Sequence, residues 1–185
     1  GNIFSLTAAL DRINVSYGMI NSKEDFDLYE RIIIPGVGHA GAAMQKLQDT
    51  GLVDTILALK KPVLGICVGM QLMTSFSEEG NANLLNIFPL KTLHFDNRIG
   101  HKVPHMGWNQ VEDIKSDLMK GVTEGNHAYF VHSFYVPLCN EAIATTNYIE
   151  QFASALNKNN FYATQFHPEK SGDVGTKILE NFINL

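Results

Sequence analysis

Two uninterrupted apolar stretches, Arg31-Ile32-Ile33-Ile34 and residues 62–66, restrict the fold of this chain more than any other feature. A strand with one face in water alternates apolar and polar residues. A strand that does not alternate is buried on both faces, as in a parallel sheet covered by helices. The first stretch ends at Pro35-Gly36 and the second runs into Gly65-Ile66-Cys67-Val68-Gly69, so each leaves the sheet through glycine. Helical spacing then resumes. Met44 and Leu47, followed beyond Gly51 by Leu52, Ile56 and Leu59, predict one interrupted helix or two short ones over about 40–60. Val68, Leu72 and Phe76 predict a helix from 68 to about 77, with Gly80 beyond its end.

The remaining pattern is consistent with this arrangement. Ile3, Leu6, Leu10 and Ile13 share a helical face behind Asn2 as N-cap, and residues 15–20 alternate as a short strand. Residues 84–111 are richer in Pro and Gly, with antiparallel strand-like runs near 90–95 and 108–111. Further strands are expected at 128–136, 142–146 and 161–166, and a last helix carries Val174, Ile178, Phe182 and Leu185 behind Ser171. The order predicts an α/β fold: a mostly parallel, doubly wound sheet flanked by helices, with some antiparallel strands.

A chain of 185 residues fits one domain, with 45% hydrophobic and 18% charged residues as in globular proteins. Fourteen Lys and Arg against 19 Asp and Glu leave a net charge of −5, which offers no field for nucleic acid or an anionic membrane. Neither a bilayer-spanning run nor a targeting pattern is visible, and Cys67 and Cys139 match no disulfide framework or zinc spacing. A cytoplasmic protein with reduced thiols is expected.

A nucleophile on a sharp strand-to-helix turn needs small neighbours, and Gly65 and Gly69 flank Cys67. Cys67 would then stand exposed above the sheet edge, with the first amides of the helix favouring its thiolate. The five residues alone leave a nucleophile and a structural cysteine both open. His167 closes an apolar strand in Gln165-Phe166-His167-Pro168-Glu169; if the backbone stays extended through Pro168, the Glu169 carboxylate reaches the imidazole. A lone histidine beside proline is ordinarily structural, but the carboxylate two positions on and the separate elbow favour catalysis in the order Cys, His, Glu. Oxyanion donors are expected from the amides of Val37 or Gly38, in the loop Pro35-Gly36-Val37-Gly38, together with that of Val68. That loop lacks the Lys-Ser/Thr ending of a phosphate cradle, and Pro104 between His101 and His105 argues against a metal pair. Neither metal nor cofactor is expected.

Taken together, the Gly-Ile-Cys-Val-Gly-Met-Gln elbow and the Phe-His-Pro-Glu segment resemble class I glutamine amidotransferases. Residues 102–109 (Lys-Val-Pro-His-Met-Gly-Trp-Asn), 129–133 (Tyr-Phe-Val-His-Ser) and 166–172 are similar to the glutaminase subunits of imidazole glycerol phosphate synthase, in histidine biosynthesis. The resemblance runs from Gly1 to Leu185 and implies a flavodoxin-like fold and glutamine as substrate. It also implies ammonia passed to a separate (β/α)8-barrel synthase subunit. On the same ground, Gly36, Gln71, His132, Ser133 and Phe134 would hold glutamine. Asn2, Met106, Trp108, Tyr129 and Lys170 would lie on or near the synthase-facing side, although residue type alone would put Trp108 in the core. Such family members begin with a short apolar strand before the Gly-Asn that opens this chain, so about ten residues are expected to be missing from the sequence, with sheet edge left uncovered. Two alternatives keep the same fold: a paralogous glutaminase feeding a sugar-modifying synthetase, and a non-catalytic binding module. Retention of Cys67, His167 and Glu169 together argues against the second.

Overall fold

The computed structural model describes residues 3–96 and 101–185. Helix α1 (Ile3–Arg12) leads through a short 3₁₀ turn at Glu24–Leu28 into β1 (Ile32–Gly36), α2 (Ala40–Asp49), α3 (Val53–Ala58), β2 (Val63–Cys67) and α4 (Val68–Leu72). Short strands β3 (Phe76–Ser77), β4 (Ala82–Asn83) and β5 (Lys91–His94) follow, then the pair β6 (His105–Gln110) and β7 (His127–His132). The chain continues with β8 (Phe134–Pro137), β9 (Ala142–Asn147), β10 (Gln151–Lys158), β11 (Phe161–Thr164) and α5 (Gly172–Asn184).

The α/β class is as expected, and the sheet is mixed. Its order is β1-β2-β11-β10-β8-β5-β3-β4, with β9 also on β10, while β6 and β7 pair separately. Strands β1, β2 and β11 are parallel to one another; β10 runs antiparallel to β11, β8 and β9. Every residue of β2 is buried, as a strand without alternation requires. Six phenylalanines, Phe88, Phe95, Phe130, Phe152, Phe166 and Phe182, are completely enclosed, and Phe130 touches Phe152 and Phe166 edge-on beneath β7. No described helix is long and apolar enough to cross a membrane.

Three expectations of local structure need correction, and one strand is new. Residues 15–20 alternate but form no strand, because among the described residues no strand pairs with them. They line, with Leu6, Leu10 and Ile32 to Ile34 of edge strand β1, an apolar groove of about 340 Å³. Helix α4 stops at Leu72, well short of 77: the Leu72 carbonyl is taken by the Leu85 amide (3.0 Å), that of Met73 by Phe88 (2.9 Å), and that of Gln71 by the Thr74 hydroxyl (2.8 Å). The run 128–136 is two strands broken at Ser133. Strand β10 gives no signal as a strand, since Phe152-Ala-Ser-Ala-Leu156 mixes helix-favouring alanine into a segment held extended by its pairing with β8, β9 and β11.

Candidate active site

Strand β2 turns into α4 within one residue, and Cys67 is that residue. Its backbone sits at φ 54°, ψ −107°, a left-handed region costly for any side chain with a Cβ. The turn is held closed from behind. A Cβ on Gly69 would run into the Ile34 carbonyl oxygen of β1, and one on Gly65 would come within 2.6 Å of the Gly69 carbonyl, so glycine lets the strand and helix backbones touch. The sulfur is not exposed as expected: Cys67 is 4% accessible. The end of β7 covers it, with Sγ 3.9 Å from the Val131 carbonyl and receiving a bond from Gln165 Nε2 at 3.7 Å. It opens instead into a pocket of about 290 Å³. Both cysteines are free thiols.

His167 lines the same pocket and is buried. Its Nδ1 lies 2.8 Å from Glu169 Oε1, the contact read from the sequence, but by another route. The backbone is extended only to His167; Pro168–Lys170 is a 3₁₀ turn that swings Glu169 back under the ring. Ser171 stands in sequence as the cap of α5, yet its side chain caps nothing there. It donates to the His167 carbonyl (2.6 Å) and accepts from the Tyr129 amide (2.9 Å), clamping the turn to β7. Burial pushes the imidazole down, but the Cys67 sulfur and the Glu169 carboxylate outweigh it and raise the pKa from 6.5 to about 9. Nε2, the nitrogen opposite the Glu169 contact, is buried and makes no hydrogen bond among the described residues.

The other pocket walls come from far apart in sequence. Val37 and Gly38 stand on one side with Val68, the loop made possible by Gly38 at φ 92°. Gly36 lies just behind, on a second cavity shared with His167 and Glu169. His132, Ser133 and Phe134 form the opposite wall, and Gln71 reaches between them. Gln71 is 2% accessible; its Nε2 lies 3.4 Å from both the Phe134 carbonyl and Gln165 Oε1, and its Oε1 is buried without a partner among the described residues. Sequence reasoning missed three residues here. Glu79 lines the pocket and accepts the Ala40 amide at 2.6 Å, fastening the start of α2; Gln165 touches the sulfur; Ser171 clamps the histidine turn. Only Gln165 had a readable signal, its place two residues before His167.

Four of the five residues expected on a partner face gather outside this site. Met106 is 63% and Trp108 56% accessible, so Trp108 is not a core residue. Trp108 pairs with Tyr129 across β6 and β7, their rings 6.0 Å apart and edge-on, and Lys170 Nζ lies 5.7 Å from the Tyr129 ring centre. Asn2, expected both as a cap and on this face, lies outside the described residues.

Comparison with known proteins gives the family of the chain. The family model for class-I glutamine amidotransferases matches residues 3–185. An imidazole glycerol phosphate synthase subunit HisH from Bacteroides fragilis is 50% identical over 186 residues, covering 100% of this chain and 95% of its own. One of the same name from Haemophilus influenzae is 45% identical over 191 residues, covering 98% of this chain and 92% of its own. Among solved structures, one described as a glutamine amidotransferase superposes with a TM-score of 0.76 at 17% identity, covering 100% of this chain and 93% of that one. A glutamine amidotransferase from Thermotoga maritima superposes at 0.64 with 16% identity, covering 97% of this chain and 76% of that one. These two likenesses concern the fold alone. The chain belongs to the class-I glutamine amidotransferase family.

Proposed function

We propose that this chain is the glutaminase subunit of an imidazole glycerol phosphate synthase. It hydrolyses glutamine through Cys67, His167 and Glu169 and hands the ammonia to a separate (β/α)8-barrel synthase subunit in the cytoplasm. One observation carries the catalytic reading: a buried imidazole tied through Nδ1 to Glu169 leaves Nε2 unpartnered in the pocket that holds the strained Cys67. The 45% and 50% identity to HisH subunits supports the choice of pathway.

In the proposed reaction the Cys67 sulfur, its proton held on His167, attacks the side-chain amide carbon of glutamine. The C–S bond forms and the carbonyl electron pair moves to oxygen. The amides of Val68 and of Val37 or Gly38 receive that oxyanion. His167 protonates the amide nitrogen, the C–N bond breaks, and ammonia leaves a glutamyl thioester. His167 then takes a proton from water, the hydroxide adds to the thioester, and collapse breaks the C–S bond to release glutamate. The amino-acid end of glutamine lies against Gln71 and the corner His132-Ser133-Phe134, where the unpartnered Gln71 Oε1 accepts from the α-ammonium. Met106, Trp108, Tyr129 and Lys170 form the docking face for the synthase, since an exposed Met and Trp with an aromatic and a cation beside them have the composition of an interface core.

A glutaminase that releases ammonia into water wastes it, so hydrolysis should wait for a docked and loaded synthase. The Val37–Gly38 peptide is the gate in this reading, because glycine at its far side lets the amide turn toward or away from the oxyanion at small cost. One such donor is worth about 10² to 10³ in rate. Glutamate release by the isolated chain should therefore be weak, and should rise at least about a hundredfold with synthase and its nucleotide ligand together. Full activity in the isolated chain would remove the gate and leave the triad standing; activation by a sugar-modifying synthetase instead would reassign the pathway.

A further inference from the structure

Two buried histidines, His132 in the pocket wall and His105 behind it, make and break no bond in the proposed reaction. His105 on β6 and His132 at the end of β7 are 3% and 5% accessible, with His105 Nδ1 and His132 Nε2 2.9 Å apart. Their ends fix where the protons lie. His132 Nδ1 is 2.7 Å from the Phe134 carbonyl, which can only accept, so Nδ1 carries the proton and Nε2 is the acceptor. His105 must then donate from Nδ1, which leaves its Nε2 to accept from the Asn109 side-chain amide at 3.2 Å. The second hydrogen of that amide goes to the Asn147 carbonyl at 2.8 Å. Every donor therefore points the same way, from Asn109 through His105 and His132 to Phe134.

The surroundings hold this chain of bonds neutral. His105 lies between the rings of Phe130 and Tyr148, at 4.8 and 4.1 Å and nearly parallel to both. Burial lowers its pKa from 6.5 to about 4, and burial with the neighbouring His105 lowers that of His132 to about 3. A proton added to either ring would set one donor against another. The inner end of the chain spans Ser133, the break between β7 and β8, and all three residues 132–134 line the Cys67 pocket. The Phe134 carbonyl is also an acceptor for Gln71 Nε2. The outer end, Asn109, is the residue after exposed Trp108 on β6.

We propose that His105 and Asn109 are positioning residues for glutamine: by fixing His132 as its Nδ1–H tautomer they hold the Phe134 carbonyl, and with it Gln71 and the 132–134 corner that receives the amino-acid end. This inference rests on the reading of the Cys67 pocket as a glutamine site. Without the His105 donor, His132 can take the opposite tautomer, whose Nδ1 lone pair would face the Phe134 oxygen and loosen the corner. The consequence falls on substrate binding more than on the chemical step.

Two measurements decide it. Imidazole ¹⁵N shifts of the unmodified protein should show His132 protonated at Nδ1 and His105 likewise; His132 as the Nε2–H tautomer overturns the proposal whatever the variants do. Kinetics with the synthase partner present should show His105→Phe, which keeps the stacked ring, raising KM for glutamine about tenfold, the scale of one lost hydrogen bond, with kcat within about threefold. His105→Asn, whose amide nitrogen stands where Nδ1 was, should restore most of the loss. An unchanged KM in folded His105→Phe, or equal damage from Phe and Asn, refutes the positioning role. Should His105→Phe not fold, Asn109→Leu puts the same question from the outer end: a mixed His132 tautomer with raised KM supports the proposal, and unaltered His132 shifts overturn it. An unmodified protein that hydrolyses no glutamine refutes the functional reading, while the tautomer result still tests the relay.

Discussion

Cys67→Ala is expected to lower glutamine hydrolysis by roughly 10⁵-fold or more, because no other group can form the thioester and removal of a nucleophile in a triad costs about that much. Fold and partner binding should survive. Alanine keeps a Cβ at the same φ of 54°, so the elbow's strain is unchanged, and the sulfur's two contacts, at 3.9 and 3.7 Å, are long and weak. Met106, Trp108 and Tyr129 lie on β6 and β7, outside the pocket lining, and should bind the synthase as before. Glutamate release, circular dichroism and copurification with the synthase measure the three points. Hydrolysis near the parent rate would make Cys67 structural and would leave the buried Nε2 of His167 without a reacting partner. A Cys67→Gly variant separates the strain from the chemistry: it should be equally inactive, and the left-handed backbone conformation costs it less because the Cβ is gone.

The parallel part of the fold was legible because its signal is local. Ile32 to Ile34 and Val63 to Ile66 cannot have a wet face, and glycine after each marks the turn into a helix. The turn at Cys67 and the contact of His167 with Glu169 were legible for the same reason, since Cys67 sits between its two glycines and His167 lies two positions from the carboxylate. What was not legible depends on distant partners. Residues 15–20 have the alternation of a strand, but a strand exists only where a neighbour offers a ladder. Strand β10 carries weak local preference and is extended because β8, β9 and β11 surround it. The sequence places Cys67 open to solvent because nothing near it in the chain tells that Val131, 64 positions later, closes over the sulfur. Glu79 and Ser171 escape a sequence reading likewise: each acts through a backbone amide or carbonyl, and any residue type supplies those.

Glu169→Gln tests whether the carboxylate works by charge as well as position. In the parent, Oε1 accepts from His167 Nδ1 at 2.8 Å in a buried site, and the imidazole pKa is raised to about 9. In the proposed reaction a ring protonated at neutral pH is the acid that expels ammonia, so the parent's kcat/KM should hold through neutrality and fall as pH climbs through about 9. Glutamine at 169 keeps the shape and removes the charge. The ring loses both its orienting acceptor in the charged form and part of what held its proton, and turnover should drop by about 10⁴, as for the equivalent amide in a serine triad. The alkaline limb should also move to lower pH. Stability carries the same signature. A group whose pKa rises on folding stabilises fully below its unfolded value of 6.5, and that contribution is lost as pH rises through about 9. Between those values the parent should lose stability faster with pH than Glu169→Gln, in which the carboxylate's share of the raised pKa is missing. Denaturant midpoints of both proteins at pH 6 and pH 9, beside kcat/KM over the same range, separate the two contributions. Unchanged turnover would take Glu169 out of the triad, whereas lost turnover with an unmoved alkaline limb would reduce it to a steric support for His167.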